Sequence, residues 1–207
     1  MNKNDVFIYM VIAVGLFVAG AVWAPGLSAA KEVKEALECT SYIATVLACA
    51  VAISALTSWR AQFRHSEKYN AIKTLTDAAL GMQVVRSYLF AMQNNYGQKY
   101  ASGGVPIEIL ERSVDAEREV CAQALRVYQK AWITASALLS ESEQADYPGV
   151  YAMVWDLVYE YPLRMASLYA ECEKFEFFSR ARELINEHAK LHSDMLFWLK
   201  LKLRQLA

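Results

Sequence analysis

The chain has 207 residues, 56% of them hydrophobic, and its mean hydropathy of +0.14 is high for a soluble protein. Its net charge is −1, and beyond Trp59 the basic and acidic residues balance, so we expect no direct nucleic-acid binding. The four cysteines form no CxxC pair, which indicates apolar packing residues in a reducing compartment rather than a disulfide framework.

Two long apolar stretches open the chain, at residues 6–24 and 39–59. Each has about twenty residues, enough for a helix to cross a hydrocarbon core roughly 30 Å thick. The first stretch also has features of a secretory signal, because Lys3 precedes it and the sequence Leu-Ser-Ala-Ala at 27–30 resembles a cleavage site. Its length, the acidic Asp5 before it and the second stretch close behind it favour a retained anchor.

We therefore predict a transmembrane hairpin over residues 1–59. Basic residues are dense after the second stretch, at Arg60, Arg64 and Lys68, whereas the connector at 25–38 mixes basic and acidic side chains. Because the Lys- and Arg-rich flank of a membrane helix stays in the cytoplasm, we expect a multi-pass protein of the bacterial inner membrane with both termini cytoplasmic.

Neither apolar stretch contains Asp, Glu, Lys, Arg or His, which argues against a proton relay or a coupled transporter. Small residues recur there at helical spacing and allow close approach of helix backbones. They either pack the two helices of one hairpin together or join several copies into a homo-oligomer. This predicted packing face consists of Gly15, Ala19, Ser41, Thr45, Ala48, Ala52 and Ala55.

Aromatic and basic residues at the end of the second stretch form a predicted juxtamembrane segment. Aromatic rings prefer the membrane–water interface, and basic side chains there face anionic lipid headgroups. The segment consists of Trp59, Arg60, Gln62, Phe63 and Arg64.

Residues 60–207 predict a cytoplasmic domain of four helices, because apolar residues recur every three or four positions without strand alternation. The first helix is expected to continue out of the membrane to about Tyr96, with a bend at Gly81. A break at 97–106 separates it from the second helix, which runs to about Leu139. The fold class is therefore all-α, a two-helix transmembrane hairpin followed by a helical bundle.

Start signals place the third helix after Asp146, and a capping box is expected where Ser140 is followed three residues later by Glu143. Pro162 is expected to break or kink the chain, because a proline removes a helix hydrogen bond and clashes with the preceding turn. The fourth helix then runs from about Leu163 to Leu206.

His188 and His192 lie four residues apart and face one way on a helix. They indicate either a metal site or two solvated histidines, and we expect solvated histidines because a third ligand is missing from the motif.

The acidic cluster of Glu171, Glu173 and Glu176 is expected to be solvated surface. No phosphate-binding loop or nucleophile elbow is present. We expect no catalytic residue, no metal, no cofactor and no enzyme activity.

Tyr151, Trp155 and Tyr159 recur at every fourth position and predict either bundle core or a surface for a partner. The basic tail at 197–206 alternates Lys and Arg with apolar residues. That pattern fits a helix lying on the membrane surface, and it equally fits a helix end with basic residues favoured by the helix dipole.

Two spans, the segment Trp59-x-x-Gln62-Phe63 and a helical domain of this size resemble small bacterial two-transmembrane antiphage effectors. In particular, the chain resembles the membrane effector that accompanies a retron reverse transcriptase. The resemblance covers the whole chain as architecture, and that segment is its only motif.

The resemblance implies antiviral defence by abortive infection. A toxin effector in the lipid bilayer is silenced by a partner, here a reverse transcriptase–nucleic acid complex, and damages the inner membrane when released. It brings no catalytic residues with it. The same architecture also fits a non-toxic membrane anchor or adaptor, which recruits a cytosolic partner through its helical domain.

Overall fold

The computed structural model describes Gly15 and residues 31–206, and every regular element in those residues is an α-helix. The prediction of an all-α protein is confirmed. In chain order the helices are α1 Lys31–Gly81, α2 Val84–Ala101, α3 Glu108–Ser136, α4 Glu141–Asp146, α5 Tyr151–Glu171 and α6 Lys174–Leu206. Gly15 is helical, and the rest of the first apolar stretch, including Ala19, lies outside the described residues.

The second apolar stretch, residues 39–59, lies wholly within α1. The sequence predicts that this helix continues to about Tyr96 with a bend at Gly81, whereas α1 ends at Gly81 and α2 begins at Val84. Among the described residues, one helical stretch, Thr40–Ala101, contains a window long and apolar enough to cross a membrane, and none of that window is buried. The protein therefore carries a helix that can span a membrane. The pairing of this helix with the first stretch stays a prediction.

The chain divides into two compact units, Met1–Phe63 and Arg64–Ala207. The predicted domain boundary after Trp59 falls inside the first unit. In the second unit α2 contacts α3, α5 and α6, and α5 contacts α3 and α6.

The core of the second unit is built from large aromatic and aliphatic side chains. Burying one such side chain stabilises the fold by roughly 1.5–3 kcal/mol, so this set supplies much of the driving force for folding. Its largest fully buried members are Tyr128, Tyr147, Tyr161, Phe177, Ile72, Leu75, Leu89 and Met165.

The prediction that Pro162 ends one helix and starts the next is wrong, because α5 runs through it to Glu171. Proline costs one backbone hydrogen bond, but packing on both sides offsets that cost. Tyr161 and Met165, which flank the proline, are only 1% and 0% exposed. The break between the last two long helices lies instead at Cys172 and Glu173.

The break predicted at 97–106 begins five residues later than expected, because α2 continues to Ala101. Gly97 lies inside α2, where an added Cβ would come within 2.6 Å of Cζ of Phe178, so this glycine permits close packing rather than a turn. The chain turns after Ala101 through Gly103 and Gly104, whose φ angles of 68° and 91° favour glycine.

The predicted capping box is confirmed at the start of α4. The Ser140 hydroxyl accepts from the Glu143 backbone N–H at 3.3 Å, and the Glu143 carboxylate accepts from the Ser140 backbone N–H at 2.9 Å. These reciprocal bonds satisfy two donors that a helix start leaves open.

Candidate membrane helix and partner surface

The predicted packing face lies on the apolar part of α1 and is exposed at Ser41, Thr45, Ala48, Ala52 and Ala55. Spacings that alternate between four and three residues keep these side chains on one side of the helix. The Thr45 hydroxyl donates to the Ser41 carbonyl at 2.9 Å, so it is satisfied within the helix. A second helix can therefore approach this side closely without leaving that hydroxyl unpaired. Gly15 is also exposed.

Large apolar side chains project from the same part of α1 and are equally exposed. Tyr42 is 72% and Ile53 is 64% exposed. Such a surface is costly in water and is satisfied by lipid or by another apolar helix. The further exposed large residues of this segment are Ile43, Val46, Leu47 and Leu56.

The juxtamembrane segment places two aromatic rings together at the end of the apolar stretch. The rings of Trp59 and Phe63 are 5.7 Å apart and are 60% and 51% exposed. Arg60, Gln62 and Arg64 are exposed on the same helix. This combination of exposed rings and cations suits the headgroup region of a bilayer.

The predicted partner surface forms an aromatic ladder along α5. The ring of Trp155 lies 5.8 Å from that of Tyr151 and 4.5 Å from that of Tyr159. Tyr151 is half-buried, while Trp155 and Tyr159 are 40% and 54% exposed. These two rings therefore lie on the surface of the domain, whereas the neighbouring Tyr147 and Tyr161 belong to the core.

A groove of about 780 Å³ adjoins the C-terminal end of this ladder, and sequence reasoning did not anticipate it. It is bordered by residues from three helices, which no local pattern brings together. Its volume falls in the range of ordinary ligand and peptide sites. Its walls consist of Tyr88 from α2, of Asp115, Arg118, Glu119, Cys121 and Leu125 from α3, and of Val158, Tyr159, Pro162 and Leu163 from α5.

The groove is lined by both apolar and charged side chains. Leu163 is 69% exposed, and Asp115 is paired with Arg118 at 3.2 Å. Burial raises the pKa of the Tyr88 phenol, and the nearby Arg118 cation partly offsets this effect. Burial also raises the pKa of the Cys121 thiol to about 11, so the thiol stays protonated and is a poor nucleophile.

The expectation that both histidines are solvated is wrong for His188. It is only 6% exposed, its ring stacks on that of His192 at 6.1 Å, and the ring of Tyr161 meets it edge-on at 5.8 Å. Burial, followed by the proximity of His192 and Arg86, lowers the pKa of His188 to about 4, so the buried ring is neutral at pH 7.

His192 is half-buried, and its Nε2 lies 2.8 Å from the carbonyl oxygen of Ala79 on α1. The described part of the chain contains no group of three His, Cys, Asp or Glu side chains that could hold a metal ion. Glu171, Glu173 and Glu176 are exposed, as the sequence indicates.

The basic tail belongs to the bundle along its apolar side. Leu199 is buried, and Leu203 and Leu206 pack against the core. Lys202 pairs with Glu143 at 3.2 Å, and the same carboxylate pairs with Lys68 of α1 at 2.7 Å. The apolar side of the tail is therefore used within the domain, and one of its cations is held by α4.

Glu143 thus joins three helices through one carboxylate. Burial alone would raise its pKa, but hydrogen bonds from Lys68, the Ser140 backbone, Lys202 and the Ser140 hydroxyl outweigh that effect and lower the pKa to about 2. The carboxylate is therefore charged throughout the physiological pH range.

Comparison with known proteins returns no match. No protein-family model, curated protein or solved structure matches the sequence or the fold.

Proposed function

We propose that this chain is the membrane effector of a bacterial antiphage system, silenced by a partner and damaging to the inner membrane once released. The main support for this proposal is the exposed apolar part of α1, one side of which consists of small residues. Such a side supports helix–helix assembly in lipid. A lesion built by assembly also requires no ionisable residue within one span.

The silencing partner is proposed to bind the aromatic ladder of α5 and the groove beside it. Exposed Tyr and Trp rings beside a concave apolar surface are the composition of a protein interface. The resemblance to retron effectors makes a reverse transcriptase–nucleic acid complex the proposed partner, contacted through its protein surface. Membrane insertion as a hairpin with cytoplasmic termini belongs to the same proposal.

The assembly is tested by enlarging its small residues. Ala48→Leu and Ala52→Leu keep the helix apolar but obstruct close approach, so we expect killing to be lost while the protein stays in the membrane fraction. Val46→Leu is the matched control, because it changes an exposed position that is already large. Undiminished killing by both alanine variants would refute assembly through this side of α1.

The exposed aromatic ladder also favours a second candidate, a non-toxic adaptor that recruits a cytosolic partner. Under this alternative the spans only anchor the domain. Replacing residues 1–59 with an unrelated membrane hairpin should then preserve function, whereas it should abolish the activity of an effector. Tyr159→Ala should weaken partner binding in both cases and therefore reports on the surface alone.

A further inference from the structure

The helix hydrogen-bond ladder is interrupted between α1 and α2. Met82 and Gln83 donate their backbone N–H groups to the carbonyls of Ala79 and Leu80, three residues earlier, at 3.1 and 3.2 Å. The same three-residue pattern recurs in the next turn, at Val85 and Arg86. A short stretch of this tighter type within a helix marks a hinge or a local strain. We call residues 79–86 the joint.

The sequence of the joint favours an uninterrupted helix. It contains no proline, and an added Cβ at Gly81 would meet nothing within 4 Å. The buried positions follow one spacing of three and four residues straight through the joint. They are Ile72, Leu75, Ala79, Met82, Val85, Leu89 and Met92. Because the apolar stripe keeps its phase, a continuous helix would bury the same side chains as the interrupted one.

The interruption coincides with a side chain from another helix. In an unbroken helix the Ala79 carbonyl would accept from the N–H of Gln83. Here the Nε2 of His192, on α6, lies 2.8 Å from that carbonyl. Insertion of a side chain into the ladder is a recognised cause of helix kinks. His188 supports the inserted ring by stacking, and its Nδ1 has no hydrogen-bond partner among the described residues.

We propose that the His192 side chain acts as a wedge: while its ring contacts the Ala79 carbonyl, it keeps the helix interrupted at the joint. When the ring moves away from that carbonyl, residues 31–101 form one continuous helix. Closure restores the bond from Gln83 to Ala79 and changes the angle between α1 and α2. The consequence for toxicity rests on the proposed function: closure would link an event in the helical domain to the apolar part of α1.

Hydrogen exchange measured by mass spectrometry on the full chain in detergent micelles tests the joint directly. In His192→Ala we expect the amides of residues 82–86 to exchange roughly three- to tenfold more slowly, because better-aligned four-residue hydrogen bonds replace the three-residue ones. His192→Gln keeps an N–H donor at the equivalent position and should retain wild-type exchange. Lys190→Ala, an exposed change on the same helix, is the matched control.

Exchange at the joint is compared with exchange in α3, so that a general loss of stability is separated from a local effect. If exchange at the joint in His192→Ala is unchanged or faster relative to α3, the proposed role of His192 is wrong. Gly81→Ala provides an independent check, because it favours the continuous helix without a steric clash. It should also slow exchange at the joint, and failure to do so would contradict the proposal.

Measuring membrane depolarisation with the same variants shows whether a failed result concerns the joint or the proposed function. Slower exchange together with a changed onset of membrane depolarisation supports both. Slower exchange with depolarisation unchanged supports the wedge and contradicts its use in toxicity. If no variant or wild-type chain depolarises cells, the proposed function fails while the exchange result still decides the joint.

Discussion

Glu143→Gln removes the charge that holds three helices together. The wild-type carboxylate is bound by Lys68 at 2.7 Å and by Lys202 at 3.2 Å, and its side chain is 19% exposed. A pKa of about 2 against an ordinary value of 4.5 corresponds to roughly 3 kcal/mol if fully expressed. Because the two lysines are 24% and 21% exposed, solvent screening reduces the expected loss to about 1–2 kcal/mol.

The sign of the pH dependence follows from the lowered pKa. The contribution of Glu143 is present above pH 4.5 and is lost as the pH falls toward 2, because the unfolded chain binds the proton first. Urea unfolding of the full chain in micelles, followed by tryptophan fluorescence, measures it. Trp198 is a suitable reporter, since its ring lies 4.8 Å from that of Tyr147 beside α4.

Glu108→Gln is the matched control for Glu143→Gln. Glu108 pairs with Arg112 within one helix, and the two side chains are 77% and 78% exposed. Exposed pairs of this kind contribute about 0–1 kcal/mol, so the control should change stability little. Equal effects of the two substitutions, or a wild-type acid profile in Glu143→Gln, would refute the reasoning.

Two further predictions concern buried positions of the helical domain. Burial lowers the pKa of His188 to about 4 from an ordinary value of 6.5, so the unfolded chain binds a proton first and wild-type stability should fall by about 2 kcal/mol between pH 7 and 5. Urea unfolding of His188→Leu should show a weaker dependence of stability on pH. An unchanged dependence would contradict burial of a neutral ring. An added Cβ at Gly149 would lie 2.7 Å from the hydroxyls of Tyr128 and Tyr147. Gly149→Ala should therefore lower the free energy of unfolding by about 1–3 kcal/mol. Gly81→Ala is the control and should not lower it, because an added Cβ there meets nothing within 4 Å.

Local sequence signals predicted the helices well where packing agreed with them. The exit of α1 from the apolar stretch and the capping box at Ser140 follow from spacing and from one pair of polar residues. The helix break predicted at Pro162 is wrong, because the burial of Tyr161 and Met165 on either side outweighs the local cost of the proline. Propensity carries no information about such tertiary compensation.

The site was only partly accessible from the sequence. The spacing of Trp155 and Tyr159 marked them for attention, but it did not distinguish core from surface. His188 could have been recognised as buried, because it continues the apolar stripe of α6 between Ile185 and Met195. The groove beside α5 and the contact of His192 with α1 join residues far apart in sequence, and no local pattern contains them.

We propose that this chain is anchored in a bacterial inner membrane and acts on that membrane. The most direct test is membrane potential, measured with a voltage-sensitive dye after induction of the chain alone in bacterial cells. The proposed function predicts rapid depolarisation with growth arrest, and rescue when the silencing partner is co-expressed. Polarised, growing cells that contain the protein in their inner membrane at comparable levels would contradict it and would favour the adaptor.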